Sequence, residues 1–188
     1  MIINIIGGVG SGKTVTAVKS ISEDVNKGIK VYTNFNIELP HETITLNEIN
    51  KYPIITQAGR DYWLQKFSGQ QLAIYIDEAS NWMDARSAMT LQNKNATAFI
   101  SQIRKMLGGN ETSHLYLISQ LKKQLDIRSR DLTHITIHCS KKISGKLKGQ
   151  DKITIKNTII FHEQGKIIKT RFVANPYFEL YDTHELIQ

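Results

Sequence analysis

Residues 7–14 read Gly-Gly-Val-Gly-Ser-Gly-Lys-Thr, and no other stretch constrains the fold of this chain as strongly. They satisfy the phosphate-loop pattern G-x-x-x-x-G-K-[ST] at every fixed position. Glycines at this density let the backbone curl until successive N–H groups converge on one point, where phosphate oxygens bind. Such a loop belongs between a buried strand and a helix whose N-terminal partial charge faces the same point. The flanks comply. Ile2–Ile6 is an unbroken apolar run, as for a strand covered on both faces of a parallel sheet, and residues 13–27 are helix-compatible up to Gly28, a suitable C-cap. Gly7, Gly8, Val9, Gly10, Ser11, Gly12, Lys13, Thr14 and Val15 are therefore expected to hold a nucleoside triphosphate. Lys13 would reach the β- and γ-phosphates and the Thr14 hydroxyl would ligate Mg²⁺.

A second motif fits the first. Leu72–Ile76 is apolar and β-prone and stops abruptly at Asp77-Glu78. Asp77 is expected to hold the metal, and Glu78 to act as the base that polarises an attacking water. Acidic residues often follow strands, so the pair says little alone. Beside a phosphate loop it points to hydrolysis, with Lys13 stabilising the developing charge. The doublet argues against nucleotide kinases and many small GTPases, which lack a catalytic Glu there.

A third strand, residues 114–118, ends in Ser119-Gln120. A polar residue at the carboxyl end of a parallel strand faces the crevice where ligands bind. Gln120 is thus a candidate γ-phosphate sensor or water-orienting group, the alternative being a helix-capping or loop role. Arg104, Arg128 and Arg130 are candidates for an arginine that reaches a neighbouring subunit's site, an effect worth ~10³–10⁵ in rate where it operates. Surface solvation or DNA contact explains the same arginines, and the sequence does not rank them.

The rest of the chain reads as an α/β domain with a β extension. Residues 30–35 form a strand; 43–46 and 54–57 are short strands, 61–67 a short helix, 80–95 a polar loop or irregular helix. Residues 96–107 carry apolar positions at helical spacing, and 132–138 alternate like a strand. Residues 152–162 and Lys166–Val173 alternate around Glu163-Gln164-Gly165, a hairpin signal. The expected fold class is α/β, a mostly parallel sheet flanked by helices. Residues 1–188 form one domain, with a core over 1–140 and a β-hairpin and C-terminal extension over 141–188. Residues 141–152, rich in Lys and bearing Gly145 and Gly149, read as a basic loop that either tracks a DNA backbone or is simply solvated. His134 and His138 lie ~13 Å apart along a strand, too far to share a metal. Trp63 and Trp82 read as packing residues. The net charge of +7 and a pI near 9.4 suit either a polyanionic partner or a basic, soluble protein without one, and the single cysteine excludes an intramolecular disulfide framework.

Taken in order, Gly7–Thr14, Val31-Tyr32-Thr33-Asn34-Phe35, residues 72–80, the Arg104 helix, residues 115–120 and the Arg128–Arg130 segment resemble the FtsK–HerA superfamily. Within it the chain is similar to the zonular occludens toxin (Zot)-like ATPases of filamentous phages and to viral genome-packaging ATPases. Residues 177–183 also resemble a closing motif of that group. The resemblance implies a RecA-like fold, ATP as the nucleotide, and a homo-oligomeric ring, commonly a hexamer. It implies non-sequence-specific movement of double-stranded or single-stranded DNA through the ring, a capsid or portal vertex protein as partner, and residence in the host cytoplasm or at an assembling capsid. By position, Lys13 and Thr14 would bind nucleotide and metal, Asp77 and Glu78 would serve hydrolysis, and Gln120 would be the sensor. Filamentous-phage proteins of this type carry a membrane span after the ATPase domain. No run here approaches the ~20 apolar residues a span needs, so a packaging motor is the first expectation. A phage-extrusion ATPase and a nucleotide-dependent switch without translocation are the alternatives.

Overall fold

The computed structural model describes residues 1–67, 71–83, 86, 90–106, 113–121, 124–147 and 149–182, without the side chains of 104–106. The elements are β1 (Ile2–Ile6), α1 (Lys13–Asn26), β2 (Lys30–Thr33), β3 (Glu42–Thr43), α2 (Leu46–Lys51), α3 (Gln57–Phe67), β4 (Leu72–Ile76), α4 (Ala79–Trp82), α5 (Leu91–Met106), β5 (His114–Ser119), α6 (Ile127–Asp131), β6 (Ile135–Leu147), β7 (Gln150–Phe161) and β8 (Lys166–Val173). A 3₁₀ helix, Asn175–Leu180, follows. The strands form one sheet in the order β3-β2-β4-β5-β1-β6-β7-β8. Pairing is parallel from β3 to β6 and antiparallel from β6 to β8.

The unbroken apolar runs of the central strands follow from burial on both faces. In β4, Leu72, Ile74 and Ile76 pack with Trp63, Phe67, Phe99 and Ile103 of α3 and α5 on one side. Ala73 and Tyr75 pack with Val18 and Ile21 of α1 on the other. In β5, Leu115 and Leu117 against Tyr116 and Ile118 repeat the split. Trp63 is fully buried and its Nε1–H donates to the Tyr52 carbonyl at 2.8 Å, while Trp82 is 3% exposed. Both are core residues. Helix α1 ends as expected: Gly28 N–H donates to Val25 O at 2.9 Å and Ile29 N–H to Asp24 O at 3.0 Å, the paired closure that suits a glycine at φ 74°.

Several local expectations are corrected. Of residues 43–46 only Thr43 lies in a strand, because the Thr45 hydroxyl accepts Glu48 N–H and caps α2, which opens at Leu46. Residues 54–57 are not a strand. Thr56 caps α3 through its hydroxyl, which accepts Gly59 N–H at 3.1 Å, so the helix starts four residues earlier than 61. Of residues 141–152, 141–147 and 150–152 are strand and not loop. Lys141, Lys142 and Ile143 of β6 pair with Ile155, Thr154 and Ile153 of β7, with a register shift at Gly145 before the strands turn. Lysines on both faces dilute the period-2 pattern, so only the pairing reveals the strand. β6 runs through residues 140 and 141 without a break. The polar stretch 80–95 holds α4 and the start of α5, which begins at Leu91 rather than Ala96. No helix among the described residues is long and apolar enough to cross a membrane.

Candidate nucleotide-binding site

The phosphate loop joins β1 to α1 at the carboxyl edge of the parallel sheet. Its shape depends on two close approaches. A Cβ on Gly7 would lie 2.8 Å from the Cys139 carbonyl of β6, and one on Gly12 would lie 2.3 Å from Ile155 Cδ1 of β7. Gly12 also has φ 94°, where an L side chain is strained. Helix α1 has no side-chain cap and no acidic residue in its first turn, so its leading N–H groups are left to an external anion. Lys13 is 8% exposed and its Nζ donates to Gly8 O at 3.2 Å, folding the ammonium over the loop. The Ser11 hydroxyl is buried and finds no partner among the described residues. Val9 is 85% exposed at the tip, whereas Val15 is 1% exposed and packs into the core while its turn borders the cleft.

The acidic strand end meets this loop. Thr14 Oγ1 donates to Asp77 Oδ2 at 2.8 Å, although β5 lies between β1 and β4 in the sheet. Asp77 is 4% exposed, and burial raises its carboxyl above the ordinary value despite hydrogen bonds from Thr14 and the Glu78 N–H. Its Oδ1 accepts Glu78 N–H at 2.7 Å. Glu78 is half-buried and holds φ 46°, the left-handed region, which costs a non-glycine residue about 1–2 kcal/mol. Strain at the junction of β4 and α4 turns the chain directly after the two carboxylates.

Asn34, which the motifs leave without a role, completes this corner of the site. It follows β2, is 8% exposed and clamps the Asp77 backbone from both sides. Asp77 N–H donates to Asn34 Oδ1 at 2.7 Å and Asn34 Nδ2 donates to Asp77 O at 2.9 Å. The signal was available: a polar residue just past a buried strand, next in the sheet to the acidic one.

Gln120 lies one residue past Ser119, which pairs with Ile6, so it emerges between the ends of β4 and β1 and is half-buried. Of the arginines, Arg128 is held within its own chain: Nε donates to Asp126 Oδ1 at 3.0 Å and Nη2 to Oδ2 at 3.2 Å. That guanidinium holds the Asp126 carboxyl below its usual range. Arg130, on the same short helix, is half-buried with its Nε unpartnered among the described residues. Arg104 lies in α5, but its side chain is outside the described residues, as are Lys122, Lys123, Leu107 and Thr183. Arg128 and Arg130 lie together on α6, and no hydrogen bond or ion pair among the described residues joins either to the loop.

The wall opposite the loop was not foreseen. A cleft of about 260 Å³ is lined by Gly10, Gly12, Lys13 and Thr14 on one side and by Lys141, Ile155, Phe178 and Tyr181 on the other. The 3₁₀ helix brings in the aromatics. It is tethered by a bridge between Ile37 and Tyr181 and by Glu38 N–H donating to Leu180 O at 2.8 Å. Burial, together with the nearby Asp77 charge, pushes the Tyr181 phenol up to about 12. Thus the C-terminal segment and the antiparallel strands close a cleft that the α/β core leaves open.

No family model and no curated protein sequence matches this chain. Solved structures do. The N-terminal domain of zonular occludens toxin from Neisseria meningitidis aligns over 96% of this chain and 98% of its own, with a TM-score of 0.59 at 21% identity. The genome packaging NTPase of Sulfolobus turreted icosahedral virus 2, in complex with ATP-gammaS, aligns over 89% and 95% with a TM-score of 0.56 at 13% identity. A DnaB-like replicative helicase aligns over 90% of this chain and 54% of that one, with a TM-score of 0.54 at 11% identity. The chain has the RecA-like P-loop NTPase fold that the resemblance implies, and its likeness runs to the two groups named there.

Proposed function

We propose that residues 1–188 form a single ATPase domain that hydrolyses ATP to move DNA, a genome-packaging motor of a virus. The observation that carries the catalytic part is the Thr14–Asp77 hydrogen bond, which places the phosphate loop and the acidic strand end in one site. In this reading the N–H groups of residues 8–14 and the Lys13 ammonium hold the triphosphate. A hydroxyl and a carboxylate 2.8 Å apart are hard oxygen donors of the kind Mg²⁺ takes, so Thr14 and Asp77 would hold it. The bound ion would neutralise charge on the β- and γ-phosphates. Asn34 keeps Asp77 at its position, and Glu78 accepts the proton of the attacking water. Gln120 orients that water or senses the γ-phosphate. Ile155, Phe178 and Tyr181 offer apolar and aromatic surface to the base. Arg104, Arg128 or Arg130 would act on a neighbouring subunit's site in a homo-oligomeric ring, commonly a hexamer. For Arg128 this requires release from Asp126.

The DNA reading draws support from the basic balance and from the named activities of the similar structures: genome packaging in one, replicative helicase in another. A capsid or portal vertex protein is the partner it implies, and the host cytoplasm or an assembling capsid the location. The likeness to the zonular occludens toxin domain favours a second reading, a phage-extrusion ATPase recruited to membrane by a partner.

Steady-state ATP turnover with and without duplex DNA, beside Lys13→Ala and Glu78→Gln, tests the proposal. Expected are DNA-stimulated turnover in the wild type and loss of at least ~10²-fold in both variants. Nucleotide binding without turnover under either condition would refute it in favour of a nucleotide-dependent switch. Flotation with host membranes only in the presence of a phage partner would favour extrusion.

A further inference from the structure

β6, β7 and β8 present two faces, and they differ in kind. One rung, Lys141–Ile155–Phe172, faces the core side: Ile155 packs on Gly12 and, with Lys141, lines the nucleotide cleft. The next rungs point the other way. They are Lys142–Thr154–Val173, Ser140–Lys156–Arg171 and His138–Thr158–Lys169. No carboxylate stands on those rungs. Lys142, Ser144, Lys152, Thr154, Lys156 and Arg171 border a groove of about 450 Å³, with Lys142, Lys156 and Arg171 exposed. None of the groove's cations has an ion-pair partner among the described residues, whereas nearby Lys146 is paired with Asp151 at 2.7 Å.

Lys156 and Arg171 stand directly opposite each other, a like-charge pair that weakens a sheet on its own. Lysines often protect an edge strand from aggregation, and β8 is an edge. That accounts for Arg171, and for Lys142 on the part of β6 past its pairing with β1, but not for Lys156 inside the sheet on β7 or for the like-charge pair it makes. An anion bound across the strands does account for them. Cations beside the hydroxyls of Ser144 and Thr154 are the side-chain set that contacts phosphate oxygens. A protein partner fits less well, since the buried centre of a protein interface is depleted in charge, and here the centre is cationic.

We infer that this outer face of the antiparallel strands is a docking surface for the phosphate backbone of nucleic acid. The inference rests on the DNA reading above and assigns it a surface. Because Lys141 and Lys142, and likewise Ile155 and Lys156, are neighbours on one strand, phosphates seated in the groove lie across a single layer of backbone from the nucleotide cleft.

The test is binding of a labelled random-sequence duplex, by fluorescence anisotropy across a salt series. It compares the wild type, a Lys142→Ser/Lys156→Ser/Arg171→Ser variant, and a Lys27→Ser/Arg60→Ser/Lys94→Ser control of equal charge. If three phosphate contacts are lost, the slope of log K against log salt falls by about 2.7, and affinity at low salt falls by ~10-fold or more. The control should bind close to wild type, and DNA-free turnover should be unchanged in the groove variant while DNA stimulation is lost. Its thermal midpoint should equal or exceed that of the wild type, because a repulsive pair has been removed. A single Lys156→Gln variant, with a slope change of about 0.9, covers the case of a poorly folded triple variant. Equal binding by the groove variant and the control overturns the inference and leaves the DNA reading intact. Wild-type protein that binds no nucleic acid at low salt, or binds only acidic peptide or anionic vesicles, overturns both.

Discussion

Replacing Gly12 with alanine probes how the phosphate loop is seated on the antiparallel strands. Gly12 sits at φ 94°, ψ 25°, where an L residue costs about 1–3 kcal/mol. The new methyl would lie 2.3 Å from Ile155 Cδ1 and 2.9 Å from its Cγ1. Rotation about χ2 moves Cδ1 but leaves Cγ1 in place, and Ile155 is fully buried. Relief therefore needs a χ1 change or a shift of β7, an overpacking cost of about 1–3 kcal/mol. The substitution should cost about 2–6 kcal/mol in total, and only the second part depends on Ile155. Ile155→Val alone should cost about 0.5–1.5 kcal/mol. In the Gly12→Ala background it removes the nearer clash, so the double variant should be less destabilised than the sum by about 1 kcal/mol. Urea unfolding of the four proteins without nucleotide measures this interaction energy. Additivity within ~0.5 kcal/mol would refute the contact, and a Gly12→Ala cost below ~1 kcal/mol would refute the backbone argument as well.

Two further predictions concern the acidic strand end. Burial raises the Asp77 carboxyl, so the unliganded native state holds that proton more tightly than the unfolded chain does. The stability this contributes is present below the unfolded value, ~3.9, and is lost as pH rises through the higher folded value. At pH 7 ionised Asp77 is therefore a cost. Asp77→Asn should match or exceed wild-type stability at pH 7 by urea midpoint, with the gap narrowing towards pH 4, while ATP turnover disappears. A clear loss of stability at pH 7 would refute the burial argument. Asn34→Ala leaves the Asp77 N–H and carbonyl without their side-chain partner, and each buried orphan costs about 1–3 kcal/mol. A destabilisation of about 2–6 kcal/mol is expected, together with a fall in kcat and little change in Lys13-dependent nucleotide binding. Unchanged kcat would remove Asn34 from any positioning role.

The sequence by itself determined the features whose causes are local. A glycine-dense loop ending in Lys13-Thr14 admits few backbone shapes, and the apolar runs of β1, β4 and β5 make sense only as strands covered on both faces. Gly28 closes α1 by the backbone conformation that glycine adopts most readily. These choices are settled within a few residues, so reading along the chain recovers them. Where the alternation was diluted by lysines, as in β6, or a cap was hidden in Thr56, local reading gave a loop and a strand in place of a strand and a helix.

Only the tertiary structure decided what meets what. The order β4-β5-β1 lets Thr14 reach Asp77 across an intervening strand. β2 beside β4 makes Asn34 a clamp. The return of residues 174–182 carries Phe178 and Tyr181 to a cleft that begins near residue 10. Pairing of β6 with β7 sends Lys141 to the nucleotide side and Lys142 to the opposite face, although they are adjacent in sequence. Each of these depends on contacts between residues distant in the chain. Their free energy comes from burying apolar surface and satisfying backbone groups across the whole sheet, not from the preference of any segment.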